Sequence, residues 1–171
     1  MNGNYVAFDL GGSSGKVFLG CYHGGTLQLR EIHRFPNQPV ALGGGLYWDF
    51  LRIFEEMKIG LRKAAQCADG PIRSIGIDSF SNDFGIVSQR GELLTPVRCY
   101  RDLRTARCEA RIYERFDPEW LYMRSGNQLA LFGTFMQLAS QVIEKTDQAL
   151  HSGGKLLLLP DLLGYFLTGV A

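Results

Sequence analysis

The first third of the chain alternates apolar with small or polar positions. Tyr5 to Leu10 and Val17 to Tyr22 read as strands, joined by the small polar segment 11–16. His23-Gly24-Gly25-Thr26 is a hairpin turn signal, and Leu27, Leu29 and the run to Phe35 make a third strand. The alternation slips between Leu29 and Ile32, which reads as a bulge. Pro36 to Gly45, with two prolines and three consecutive glycines, reads as a loop. Behind Asp49, a fitting N-cap, the residues Phe50, Ile53, Phe54, Met57, Leu61 and Ala64 recur at helical spacing until Asp69-Gly70-Pro71. Ile72 to Ser79 then reads as a buried strand. A crossover of this length implies that it runs parallel to the first strand. Phe84 to Ser88, the turn Gln89-Arg90-Gly91-Glu92 and a return strand from Leu93 onward suggest a short hairpin. Helices are expected over 105–115, from Pro118 behind the cap Asp117 toward Met123, and over 134–145 with Phe135, Leu138, Ala139 and Val142 inward. Lys155 to Leu159 reads as a strand, and Pro160 opens a last helix closed by Gly169. This order gives one α/β domain: a mixed sheet with helices on both faces.

The most specific chemistry lies at the first strand's end. Asp9 is followed by Gly11-Gly12-Ser13-Ser14-Gly15 and then Lys16. A carboxylate beside nearly bare backbone suits a metal-bound phosphate, because N–H groups can come close to its oxygens and Ser13, Ser14 and Lys16 can add donors. It is not a Walker A loop, since Gly11 and Gly15 are too close and Val17 follows the lysine. Nor is it a dinucleotide fingerprint, since the glycine spacing differs and a strand, not a helix, follows. An ordinary Gly/Ser hairpin turn is the competing reading.

Composition narrows the classes. With 171 residues, 46% hydrophobic, 20% charged and a formal charge of +1, the chain reads as a globular domain with no electrostatic reason to bind nucleic acid or an anionic membrane. No secretory signal and no membrane-spanning run is recognised, so a cytoplasmic setting is expected. Cys21, Cys67, Cys99 and Cys108 form no C-x-x-C pair and the histidines are scattered, so reduced thiols are expected rather than a zinc site.

The loop resembles the first phosphate loop of the sugar kinase, actin and Hsp70 superfamily, whose ribonuclease-H-like fold has this element order. Further runs, in family order, resemble FGGY carbohydrate kinases of the rhamnulokinase branch. They are Leu29 to Phe35, Tyr47-Trp48-Asp49, Ser74-Ile75-Gly76-Ile77-Asp78-Ser79, Asp83-Phe84, Tyr100 to Thr105, Arg124 to Gln128, and Leu158-Leu159-Pro160-Asp161 with Leu167-Thr168-Gly169. The resemblance implies ATP-dependent, Mg²⁺-assisted phosphorylation of a ketose such as L-rhamnulose. Asp9 would hold the metal and align phosphate, and Gly11, Gly12, Ser13, Ser14, Gly15 and Lys16 would contact the phosphates. Ser81, Asn82, Asp83 and Phe132, with Gln128 nearby, would lie at the sugar. A solvated turn is the competing reading of Asn82-Asp83, Phe132 is read rather as core, and Arg101, Asp102 and Arg104 read as pocket wall or, rather, as structural ion pairs.

Two departures bear on the substrate. Phe80-Ser81-Asn82 stands where the branch has Trp-Gly-Val, and Lys16 replaces an arginine. Added hydrogen-bonding groups at sugar level change which hydroxyl pattern is accepted. Another sugar or polyol, or a non-catalytic sugar-binding domain, therefore stays open as an alternative. A homodimer is considered as its assembly. The resemblance also places the catalytic aspartate and a nucleotide-binding domain beyond residue 171. The 171 residues by themselves are expected to show no sugar-dependent ADP release above a blank, and such release would contradict that reading.

Overall fold

A computed structural model describes residues 2–127 and 129–171; Gln128 therefore lies outside the described residues. They form two compact units, one of residues up to Pro39 with Trp48–Ser81 and Leu159–Ala171, the other of Val40–Tyr47 with Asn82–Leu158.

The first unit is built on a four-stranded sheet. Strands β1 (Gly3–Leu10), β2 (Ser14–His23) and β3 (Thr26–Pro36) are antiparallel neighbours. Gly24 and Gly25 turn β2 into β3 at φ of 57° and 86°, which only glycine adopts freely. The expected bulge is present: Val17 faces His33 while Phe18 faces Glu31, so Ile32 is the extra residue. Helix α1 (Phe50–Cys67) starts at Asp49, whose carboxylate accepts from the Arg52 N–H at 3.2 Å. It returns the chain to β6 (Ile72–Asp78), parallel to β1.

Val6, Phe8, Leu10, Val17 and Leu19 on the sheet and Phe50, Ile53, Met57 and Ala64 on α1 are buried, and they form the core of this unit. Each of these side chains larger than Ala64 contributes about 1.5–3 kcal/mol by leaving water. Gly60 lets helix and sheet approach: a Cβ there would stand 2.5 Å from Cγ2 of the fully buried Val17. Helix α5 (Leu159–Thr168) reaches β6, and its Phe166 packs edge-on against Phe50 and Phe54. On the other side of the sheet Ala7, Leu27 and Leu29 are exposed. The isoleucine-rich β6, expected to be buried, is an edge strand with Ile75 45% exposed, because among the described residues only β1 pairs with it.

The second unit holds two short sheets. The stretch read as a loop is instead a hairpin of β4 (Val40–Leu42) and β5 (Gly45–Tyr47), turned by Gly43 and Gly44 at φ of 56° and 76°. Consecutive glycines there supply the turn type that suits twisted strands. Strand β7 (Phe84–Val87) pairs with β8 (Lys155–Leu158), while the expected return strand at Leu93 makes only a bridge to Val87. Helices α2 (Arg104–Tyr113) and α4 (Thr134–Glu144) pack around Cys108, Ile112, Met136 and Ile143. Helix α3 (Pro118–Ser125) is capped by Asp117 and stopped by Gly126 at φ 64°. The inward face of α4 is Met136, Gln137, Ser140 and Ile143, not the expected one; Phe135 and Val142 are 40% and 47% exposed. The shift has a cause in polar groups that are satisfied inside, described below.

Gly60→Val should destabilise the chain. The helix–sheet clash and the β-branched residue in a helix together cost about 1–3 kcal/mol. Thermal denaturation checks it, and an unchanged midpoint would mean that α1 is free to slide off Val17.

Candidate active site

Strand alternation fixes Asp9. Val6, Phe8 and Leu10 face α1, so the residue between the last two faces away from the core. Its side chain is 45% exposed, and its Oδ2 accepts from Lys16 Nζ at 2.8 Å across the β1–β2 pair. Asp78, exposed at the end of β6, is the register partner of Asp9 in the parallel ladder. The sequence reading did not single it out, although an apolar strand ending in Asp occurs twice, at Phe8-Asp9 and Ile77-Asp78.

The loop between β1 and β2 is held by its own backbone and by Asn37. Gly11 N–H donates to the Ser14 carbonyl at 3.0 Å, so that donor is spent within the loop. The buried Asn37 donates from its backbone to the Ser13 carbonyl at 3.0 Å and from Nδ2 to the Gly11 carbonyl at 2.8 Å. Asn37 was also missed; a polar residue between two prolines reads as an ordinary loop residue. None of Gly11, Gly12 and Gly15 has a positive φ, so the loop uses their lack of side chain rather than their conformational freedom. Gly15 is buried, and a Cβ on it would run into the Phe35 ring. Gly15 therefore serves packing, and the accessible part of the loop is Gly12, Ser13 and Ser14, with Ser13 exposed.

Among the described residues no three His, Cys, Asp or Glu groups come together as a metal cluster. Two carboxylates at neighbouring strand ends beside bare backbone still fit magnesium. That ion keeps several waters and is held by one or two carboxylates plus phosphate oxygens.

After β6, Phe80 stacks on the buried Trp48, centroids 4.2 Å apart and 10° from parallel, which anchors the turn. Ser81, exposed, closes the first unit. In the second unit Asn82 is half-buried, and its carbonyl accepts from Thr134 Oγ1 at 2.9 Å and Gln137 Nε2 at 3.1 Å. Asp83 is 0% exposed. Its carboxylate accepts from the Tyr100 N–H at 3.1 Å and from Gln137 Nε2 at 3.0 Å, so it holds the turn rather than presenting itself to solvent. Phe132 is not core: it is 48% exposed, edge-on to Tyr100 at 6.2 Å.

Gln137 is the hub that sequence reasoning missed, because a glutamine on an amphipathic helix reads as solvated. It also donates to the Phe132 carbonyl at 2.9 Å and accepts from Arg104 Nη2 at 2.6 Å. Arg104 and Asp102 are buried as a structural ion pair, as expected. Burial pushes the Asp102 carboxyl up. The Leu46 and Arg104 N–H groups and the Arg104 charge outweigh that, leaving it below the usual carboxylate range. Burial pushes the Cys99 thiol up to about 11, so it stays protonated and inert.

No protein-family model matches the chain. Rhamnulokinase from Bacteroides thetaiotaomicron is 36% identical over 169 residues, covering 99% of this chain and 34% of that protein. Rhamnulokinase from an Enterobacter species is 40% identical over 167 residues, covering 96% of this chain and 34% of that protein. The chain is thus similar to rhamnulokinases over nearly its whole length. It spans about a third of the length of these curated relatives. Among solved structures, gluconate kinase from Lactobacillus acidophilus superposes on it with a TM-score of 0.83 at 18% identity, over 99% of this chain and 34% of that one. Plasmodium falciparum glycerol kinase with ADP gives 0.74 at 15% identity, over 98% and 35%. At such identities the agreement is one of fold. The chain therefore shares the ribonuclease-H-like fold of these structures, and no helix among its described residues is long and apolar enough to cross a membrane.

Gln137→Leu would leave Asp83 and Arg104 short of partners, at a cost of about 3 kcal/mol. In the unmutated chain, Asp102's lowered carboxyl contributes stability that is complete above the ordinary carboxylate pKa and is lost as pH falls through its folded value. Denaturation midpoints at pH 7 and across the acid range test both; a midpoint unmoved by Gln137→Leu would remove the hub assignment.

Proposed function

We propose that this chain is part of an ATP-dependent carbohydrate kinase acting on a ketose, with L-rhamnulose the leading substrate. The observation that carries the reading is the pairing of Asp9 with Asp78 at parallel strand ends beside the pinned loop 11–15. Similarity to rhamnulokinases over nearly the whole chain supports it.

In this reading Asp9 is the primary metal and phosphate-positioning group and Asp78 its neighbour. Gly12, Ser13 and Ser14 approach the phosphates. Gly11 and Gly15 shape the loop, and Lys16, released from Asp9 when a cation arrives, adds positive charge. Magnesium bound there would neutralise phosphate charge. Phosphoryl transfer depends mainly on such positioning and neutralisation, so the protein need supply little covalent chemistry.

Ser81 and the Asn82 side chain are the hydroxyl-binding groups and Phe132 an apolar contact, while Asp83 keeps Asn82 in place. The two polar groups in Phe80-Ser81-Asn82 favour a second reading on the same scaffold, a kinase for another sugar or polyol. The cytoplasm is the expected setting.

In the whole protein, Asp9→Asn should lower kcat by about 10²-fold or more without loss of folding. Asn82→Ala should raise the sugar KM while leaving the ATP KM in place. A panel of ketoses and polyols assigns the substrate. Full turnover in a folded Asp9→Asn protein would return Asp9 to a purely structural role, and preference for another sugar over L-rhamnulose would select the second reading.

A further inference from the structure

The second unit holds a cavity of about 160 Å³ between its helices and β7 that the kinase reading does not use. Its polar wall comes from Thr95, Arg98, Arg104, Gln137, Gln141 and Thr146. Two of these are guanidinium groups and none is a carboxylate. The nearby acids are spent elsewhere: Asp83 on Tyr100 and Gln137, and Asp102 on the Leu46 and Arg104 backbone N–H groups at 2.7 and 2.9 Å. Asp102 also meets Arg104 Nη1 at 3.4 Å and Arg98 Nη1 at 3.6 Å, the second beyond good hydrogen-bond distance.

Arg104 is 1% exposed, and its Nη2 is bound to Gln137, yet its Nε is buried with no hydrogen-bond partner among the described residues. A charged donor buried without a partner carries a large desolvation cost, and such a group calls for an acceptor. Arg98 lies over the Tyr47 ring at 5.1 Å, an arrangement that orients the guanidinium without consuming its N–H donors.

We propose that this cavity is a binding site for a small oxyanion, a phosphate or a short carboxylate. Arg104 Nε and Arg98 are its charged donors, and Gln141 and the two threonines adapt around it. Guanidinium N–H donors suit both anions, because each carries a pair of negatively charged oxygens on one central atom. The site belongs wholly to the second unit and is independent of the loop at Asp9.

The arginine Nε–H resonances of the ¹⁵N-labelled 171-residue chain test this directly. Inorganic phosphate and sodium acetate are titrated separately against sodium chloride at matched ionic strength. The proposal expects the Arg104 Nε–H signal, with the amides of residues 95–98, 141 and 146, to shift saturably for at least one anion. The anion that does so identifies the source. Arg98→Gln should weaken that binding about tenfold. Gln141→Leu serves the same purpose if Arg98→Gln does not fold. Shifts confined to residues 11–16, shifts no larger than chloride gives, or a Arg104 signal that responds to neither anion would each overturn it and leave a cavity filled by water alone.

Discussion

Val6, Phe8 and Leu10 are buried against α1, and a strand can place only alternate residues on one face. Asp9 is thereby forced to the opposite side, and no local preference of its own is needed. A slip of one residue in β1 would exchange it with the core set, so the hydrophobic pattern protects the position of the carboxylate. The parallel ladder with β6 then brings Asp78 alongside, and the antiparallel ladder with β2 brings Lys16 across. Three charged groups are thus set by backbone register. The loop between them is fixed by Asn37, which satisfies two of its carbonyls.

The second unit works differently. Its organising element is a buried polar network in which one amide side chain, Gln137, serves Asn82, Asp83, Phe132 and Arg104. Networks of this kind specify geometry strongly when complete, because any missing member leaves a buried charge or dipole unpaired. Asn82 and Phe132 are positioned through their backbone carbonyls, which leaves their side chains available for another task. The same network leaves Arg104 Nε as its one buried guanidinium atom without an acceptor among the described residues.

Local signals in the sequence carried most of the first unit. Alternation gave the three strands, the slip before Ile32 gave the bulge, and Asp49 gave the start of α1. Asp9 and its loop were legible because small residues between two apolar strands are conspicuous. What stayed hidden depended on partners distant in sequence. Asn37 reads as loop until it meets Gly11, Asp78 as a strand end until β6 lies beside β1, and Gln137 as helix surface until it meets Asp83. The exposed edge at β6 and the hairpin at Gly43-Gly44 misled for a related reason, since burial and pairing are set by neighbours rather than by the segment itself.

The central claim is that loop 11–15 and the two aspartates beside it take a metal-bound polyphosphate. Mn²⁺ with tripolyphosphate, which needs no adenine pocket, probes that contact in the ¹⁵N-labelled chain by paramagnetic broadening of nearby amides. The account predicts that the amides of residues 9–16 and 78–79 broaden first, and that Asp9→Asn weakens the effect. Amides at that loop remaining sharp while another surface broadens, or broadening there that Asp9→Asn leaves unchanged, would contradict it.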